Sequence, residues 1–355
     1  MPEITTDEIR AYLNKIQGQN TSLRDLRINF NILAGSKSFD TIRTIMFRMV
    51  KDKLAIPLSK DGEYRVVKQV LPVRVFTPDR EKKPIYNLVL PRDFDTGDQI
   101  IPNVIFREGD AITIGGVKSK GKTTLALNFL AENIDKKPIL MGNEYTQLVS
   151  NKDDETEEHY EPAPRFLNRL IDMQDRYTWT DEQGNDRFTL LPVSNDYHLH
   201  VVKDKFNIVD WINLTGDFWS ISNVLGGMKA NVGRGMLLGI LQKGEGKEDP
   251  RGGQFVRDFS DLELLLDGYG ENEDDVLLTV KGCKERVRGT PPIAGRRFAY
   301  TIVDGINITN FREVMRCPQC RGMGFGKGGT CDRCNGIKYV DKPKPAENDN
   351  DAIPF

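Results

Sequence analysis

Cysteine and histidine are scarce in this chain of 355 residues, which holds five of the former and three of the latter. So few cysteines exclude a disulfide-dense scaffold. His159, His198 and His200 show no metal-ligand spacing and read as ordinary structural residues. No run reaches the roughly 18 apolar residues of a membrane-spanning helix, and the opening MPEITTDEIR lacks the basic-then-apolar order of a secretory signal. A soluble, cytoplasmic chain without membrane association is the expectation. Charge of one sign is missing as well: 50 Lys and Arg stand against 52 Asp and Glu, a net of −2. Taken whole, that excludes a uniformly basic polyanion binder.

The average conceals a pattern. Residues 1–74 hold 13 basic against 8 acidic side chains, and residues 312–344 hold 8 against 3. Each end is therefore +5, the last eleven residues are −3, and the remaining centre is −9. The segments expected from this and from the motifs are residues 1–75, a linker at 76–103, a catalytic domain at 104–311, a cysteine module at 312–341 and an acidic, disordered tail at 342–355.

Three helices are predicted near the N-terminus: Thr6 to Ile16, Ser22 to Phe30 and Phe39 to Asp52. Thr6 and Ser22 are cap-like, and Ile42, Ile45, Met46 and Met49 fall on one face of the third helix. Two short β-like runs around Asp61-Gly62 then predict a hairpin. Three helices and a basic hairpin resemble a winged helix-turn-helix. That resemblance implies duplex DNA as partner, with Arg43, Arg48, Lys51, Lys60 and Arg65 as contacts. The other reading is a small helical protein-interaction domain with a solvated basic face. Five prolines and a charged patch within residues 69–103 read as the linker.

Asp110 to Gly115 predict an apolar strand, and a helix follows at TLALNFLAENI. Between them lies Gly116-Val117-Lys118-Ser119-Lys120-Gly121-Lys122-Thr123, ahead of Thr124. A strand, a G-x-x-x-x-G-K-T loop and a helix form a phosphate-binding unit. Glycines let backbone N–H groups close around phosphate oxygens, Lys122 reaches the β- and γ-phosphates, and Thr123 offers a hydroxyl to Mg²⁺. Three further apolar strands end in a polar residue, at Glu144, Asp210 and Gln242. Asp210 suits a second Mg²⁺ ligand. Glu144, on the strand after the loop's helix, suits a general base that polarises the attacking water.

This order of parts resembles the RecA-like ATPases, in particular DnaB-type hexameric helicases, RadA and KaiC, over residues 95 to 311. The resemblance implies an α/β P-loop core, ATP and Mg²⁺ as cofactors, Glu144 as catalytic base and Gln242 as sensor of the γ-phosphate. It also implies single-stranded DNA contacts in the loops Ser222 to Gly235, with Lys229 and Arg234, and Lys243 to Arg257, with Lys247 and Arg251. The run Val280 to Gly289 resembles the region from which such proteins send a Lys and an Arg across a subunit interface, which points to Lys284 and Arg286, with Arg288 also in range. A site completed by a neighbour implies a homo-oligomer, ring or filament. The acidic run Asn151 to Glu161 and a hairpin-like stretch around Gly184-Asn185 enlarge the region between Glu144 and Asp210. The helical primase-docking domain of replicative helicases is not recognised in the sequence.

Cys317-x-x-Cys320, ten residues, then Cys331-x-x-Cys334 is a paired pattern that presents four thiolates to one Zn²⁺. Each knuckle resembles the C-x-x-C-x-G-x-G repeat of DnaJ-type zinc domains, with one pair where those have two. A structural zinc ribbon is expected, and its +5 surroundings favour nucleic acid over a protein partner. Cys283 lies outside the pattern and reads as a buried, inert thiol. The ending Ile-Pro-Phe resembles the acidic tips of bacterial single-strand DNA-binding proteins.

The expectation is therefore an α/β protein with a RecA-like P-loop core, an N-terminal winged helix and a C-terminal zinc ribbon. It would act as a DNA-dependent ATPase that drives a helicase, translocase or recombination motor, of phage or other mobile-element origin. The alternatives are an ATP-switched DNA-binding regulator of the KaiC kind and a packaging or remodelling ATPase whose ribbon docks protein.

Overall fold

The computed structural model describes residues 5–58, 62–68, 72, 75, 85–150, 158–213, 221–326 and 328–343. It divides into two compact units, Met1–Lys82 and Lys83–Phe355.

In the first unit α1 spans Thr6–Lys15, β1 Asn20–Ser22, α2 Leu23–Asn29, α3 Lys37–Lys51, β2 Ala55–Pro57 and β3 Glu63–Val66. Thr5, one residue before the expected cap, closes a capping box: Glu8 N–H donates to its hydroxyl at 3.3 Å, and its own N–H donates to the Glu8 carboxylate at 2.9 Å. Ser22 and Asp25 repeat the device at α2. The apolar stripe of α3, with Ile42, Ile45, Met46 and Met49, meets Ile9, Leu13 and Leu26 in a small core. The strands pair antiparallel in the order β1-β3-β2. Arg43, Arg48, Lys51 and Arg65 are exposed, whereas Lys60 and Asp61 lie outside the described residues.

The second unit is mixed α/β, built on one ten-stranded sheet. Its strands and helices begin with β4 (Ala111–Gly116), α4 (Lys122–Glu132), β5 (Ile139–Met141), β6 (Thr146–Ser150), β7 (Glu158–Pro162), α5 (Pro164–Asp172) and β8 (Thr189–Leu191). Next come α6 (Tyr197–His200), β9 (Phe206–Val209), α7 (Ile221–Asn231), β10 (Met236–Gln242), α8 (Gln254–Phe259) and β11 (Leu262–Gly268). The chain closes with β12 (Asp275–Cys283), β13 (Arg297–Val303), β14 (Asn307–Arg316), the two-residue strands β15 (Phe325–Gly326) and β16 (Gly329–Thr330), and β17 (Tyr339–Asp341). The sheet order is β17-β14-β13-β12-β11-β4-β10-β9-β5-β8. From β11 to β8 every pairing is parallel, and from β11 to β17 every pairing is antiparallel.

Parallel strands covered on both faces read as continuous apolar runs, and β4, β9 and β10 do so. Alternate residues feed two cores: Ile112, Ile114, Leu238 and Ile240 face one, and Ala111, Leu237, Leu241 and Val209 the other. β10 lies between β4 and β9, so the Gln242 strand separates the phosphate-loop strand from the Asp210 strand. All three end at the same sheet edge, where ligands of open α/β sheets bind.

Three expectations change. Residues 85–103 are packed protein rather than linker: Leu88, Leu90, Ile100 and Ile101 join the large core. Here Pro91 and Pro102 flank a stretch anchored in the core at both ends, with residues 94–99 exposed between. Residues 312–341 are not a separate domain, because β14 runs through residue 312 and its end pairs with β17. The cysteine module is an excursion between two paired strands of the large sheet. Finally, Ser222 to Gly235 is no loop. Most of it is α7, with Leu225 and Met228 buried, and Lys229 is engaged by Asp261 and by the Phe259 carbonyl at 3.1 Å.

Candidate functional site: a phosphate-loop pocket and a cysteine cluster

β4 delivers the chain into the Gly116 to Thr123 loop, and α4 starts at Lys122. Gly121 caps the helix with φ +72°, and a Cβ there would lie 2.2 Å from Ile302 Cδ1. The positive φ favours glycine, and any side chain there would also have to displace the end of Ile302. Residues 124 to 131 of α4 are all buried, and Asn128 donates to the carbonyls of Thr124 and Ile306, which fixes the helix behind the loop.

A cavity of about 430 Å³ opens over this loop, lined among others by Lys122, Thr123, Glu144, Asp210, Trp211 and Gln242. The three polar strand-end residues Glu144, Asp210 and Gln242 therefore share one pocket with the Lys122-Thr123 pair. Lys122 Nζ donates to the Val117 carbonyl at 2.7 Å. Burial pushes its ammonium down, and the carboxylates of Asp210 and Glu144 oppose that.

Asp210 is buried and follows directly on β9. Burial pushes its carboxyl up, against hydrogen bonds from the Tyr145 phenol and the Thr123 hydroxyl that favour the anion. A hydroxyl bonded to a buried carboxylate at the mouth of the loop is a hard-oxygen pair that fits Mg²⁺. Glu144 Oε1 accepts from Trp211 Nε1 at 3.1 Å. Gly142 permits this meeting of strand ends, since a Cβ there would stand 2.1 Å from the Asp210 carbonyl oxygen. Gln242 pairs with Gly116 in register, so its side chain emerges beside the loop.

Several pocket residues escaped the sequence reading. Tyr145 and Trp211 sit one residue after Glu144 and Asp210, but no spacing rule singles them out. Arg165 and Arg169 of α5 also line the cavity. Their spacing of four places both on one helical face, yet that face turns to the phosphate loop only through long-range folding.

Lys284 and Arg286 lie outside this pocket. Lys284 follows β12, whose end pairs with the start of β11, at the sheet edge opposite the phosphate loop. Lys284 Nζ bonds Asp261 Oδ1 at 2.7 Å, and Arg286 Nε donates to the Thr290 carbonyl at 3.0 Å. Arg288 is exposed. Asp261 also accepts from the Ala111 N–H at 2.7 Å and pairs with Lys229. Burial pushes its carboxyl up, but Lys229, Lys284 and Ala111 hold it below the usual carboxylate range.

In the loop after β10, the buried Lys243 pairs with Asp267, while Lys247 is exposed. Cys283 is half-buried rather than buried. Burial raises its thiol, and its Sγ donates to the Glu285 carbonyl at 3.2 Å.

The four remaining cysteines are buried, with all Sγ atoms within 4.8 Å of one another. Cys317 and Cys331 sulfurs are 3.8 Å apart, and those of Cys320 and Cys334 are 3.6 Å apart. Four sulfurs about 2.3 Å from one tetrahedral Zn²⁺ stand about 3.8 Å from each other, so the cluster fits that ion. Gly324 N–H donates to Cys320 Sγ at 3.3 Å. Burial pushes the Cys320 thiol up, but this N–H and the neighbouring groups bring it down to about 6.

No protein-family model matches the sequence, and no curated protein matches it. Among solved structures, the crystal structure of the RadB recombinase aligns with a TM-score of 0.39 at 18% identity, over 57% of this chain and 91% of that one. The chain is a mixed α/β protein with a pocket over its Gly116 to Thr123 loop and a cluster of four cysteines. No helix among the described residues is long and apolar enough to cross a membrane.

Proposed function

We propose that the second unit is a RecA-type ATPase that hydrolyses MgATP and couples it to DNA. The observation that carries this reading is the convergence of Lys122, Thr123, Glu144, Asp210 and Gln242 on one cavity from four strand ends. The loop N–H groups and Lys122 bind the β- and γ-phosphates. Thr123 and Asp210 hold Mg²⁺, which supplies neutralising charge to the phosphate oxygens. Glu144, oriented by Trp211, takes a proton from water as the water oxygen bonds to the γ-phosphorus. The bond from that phosphorus to the bridging oxygen breaks, and ADP leaves with the electron pair. Gln242 reports the γ-phosphate to the loop beyond β10, where Arg251 N–H donates to the Gln242 carbonyl at 3.0 Å.

The first unit supports duplex DNA contact by a winged helix. Its element order places the exposed Arg43, Arg48 and Lys51 on α3 and Arg65 on the hairpin strand. The cysteine cluster holds one structural Zn²⁺. Lys284 or Arg286 acts in a neighbouring subunit's site within a homo-oligomer, since both are remote from their own pocket. Strand separation, translocation or recombination is the outcome of such coupling.

ATP hydrolysis measured without DNA, with single-stranded DNA and with duplex DNA tests the reading. Stimulation by single strands together with unwinding of a forked duplex supports a motor. Slow hydrolysis indifferent to DNA, with tight duplex binding, supports the ATP-switched regulator instead. Absence of ATP binding sinks both.

A further inference from the structure

Six arginines in the second unit are bound to carboxylates: Arg92, Arg107, Arg187, Arg257, Arg296 and Arg312. Among the described residues, the side chains of Arg165 and Arg169 have no such partner, although both line the phosphate-loop cavity with Glu144 and Asp210. A guanidinium left unpaired beside a phosphate site is a ready bidentate ligand for phosphate oxygens.

The local fold explains how they arrive there. After Tyr145 the chain leaves as β6, returns as the antiparallel β7, and Ala163 N–H donates back to the Tyr145 carbonyl at 2.8 Å. The excursion therefore closes where it opened, and α5 begins beside the Glu144 strand end. Phe166 and Leu170 anchor α5 in the core. The Phe166 ring lies 4.8 Å from Tyr145, and Trp179 Nε1 donates to the Leu170 carbonyl at 2.8 Å. With Phe166 and Leu170 turned inward, Arg165 and Arg169 stack one turn apart on a neighbouring face. Arg169 is half-buried, and its Nη2 is 4.0 Å from where a Cβ on Gly305 would stand. Gly305 accepts the Thr124 hydroxyl at 2.7 Å, so this guanidinium stands at the wall of the phosphate loop.

We infer that Arg165 and Arg169 are phosphate-contacting residues that bind the γ-phosphate of ATP in cis, from the same chain that supplies the phosphate loop. This rests on the ATPase reading above and adds a charge source within the subunit. Lys284 is tied to Asp261 at the other sheet edge, so the two sets are independent. The pair stabilises the negative charge that spreads over the γ-phosphoryl oxygens as the bridging bond breaks. It distinguishes ATP from ADP, because ADP lacks the γ-phosphoryl oxygens that these forks hold.

The test compares wild type, Arg165→Gln, Arg169→Gln and the double variant in the full chain, by ATP turnover and by binding of fluorescent ATP and ADP analogues. Neither arginine anchors the core, and thermal melting checks that the variants remain folded. The double variant is expected to lose about 10³-fold in turnover, the scale of an arginine at this step. Its preference for ATP over ADP and its trapping of ADP with aluminium fluoride should go too, with ADP affinity within about threefold of wild type. Wild-type turnover and trapping in the double variant overturn the inference while leaving the ATPase reading intact. If wild type itself fails to bind or hydrolyse ATP, both fall.

Mixing Arg169→Gln chains with Glu144→Gln chains decides between cis and trans. In cis every pocket carries one defect, and activity stays at the sum of the parents. Activity above that sum assigns Arg169 to the neighbour's pocket and overturns the cis placement.

Discussion

Trp211 donates its indole N–H to Oε1 of Glu144 at 3.1 Å, so the residue that follows Asp210 holds the carboxylate expected to activate water. Glu144→Gln should preserve nucleotide affinity and lower turnover by about 10²-fold or more, the usual worth of a positioned base. Trp211→Phe should keep affinity and lower turnover by a smaller factor. Steady-state hydrolysis beside equilibrium nucleotide binding separates the effects, and normal hydrolysis by Glu144→Gln removes that residue from its role.

Lys122→Ala should abolish both triphosphate binding and turnover. Here ATP-analogue titration is the decisive measurement, because wild-type affinity in the variant would detach the loop from the phosphates.

Tyr145→Phe removes a hydrogen bond that favours the Asp210 anion, against burial that already pushes this carboxyl up. Without the phenol the proton is held to a still higher pH. The acid limb of the pH–rate profile should therefore move toward neutral pH, and stability should fall by about 1.5–3 kcal/mol, the range for hydrogen bonds to charged groups. An unmoved acid limb would show that Asp210 does not set it.

Asp261 joins the start of β4 to α7 and to the residue after β12, through Ala111, Lys229 and Lys284. Its folded-state carboxyl lies below the usual range. The stability it contributes is thus complete above the unfolded value of about 3.9 and disappears as pH falls through the lowered folded value. Asp261→Asn should cost about 3 kcal/mol in urea denaturation at neutral pH. Lys284→Ala, which removes a partner that is 59% exposed, should cost no more than about 1 kcal/mol.

The purified chain should carry one zinc by elemental analysis, and Cys331→Ser should release it. Two equivalents, or full retention in that variant, would refute a single four-thiolate site.

Much of this was legible in the residues because it is local. The Gly116 to Thr123 loop, the strands ending near Glu144, Asp210 and Gln242, and the paired C-x-x-C motifs each announce themselves within one short run of sequence. What spacing could not supply was pairing between distant segments. Arg165 and Arg169 reach the pocket through a hairpin that closes on Tyr145, and the sequence marks only that the region is enlarged. The resemblance implied a loop at Ser222 to Gly235, yet most of it is helix, and burial of Leu225 and Met228 outweighs the low helix propensity of Gly226 and Gly227. Prolines near residues 84–102 suggested a linker, but Leu88, Leu90, Ile100 and Ile101 are buried in the core.

The β13–β14 turn touches the phosphate loop through Ile302 and Gly305, and the far end of β14 leads directly into Cys317. A ten-residue strand measures about 33 Å. One continuous segment thus works as a ruler with the cavity over the Gly116 to Thr123 loop at its zero and the cysteine module at its far mark. Anything bound at that module would sit at a set stand-off from the cavity, because β14 is braced by the neighbouring strands β13 and β17.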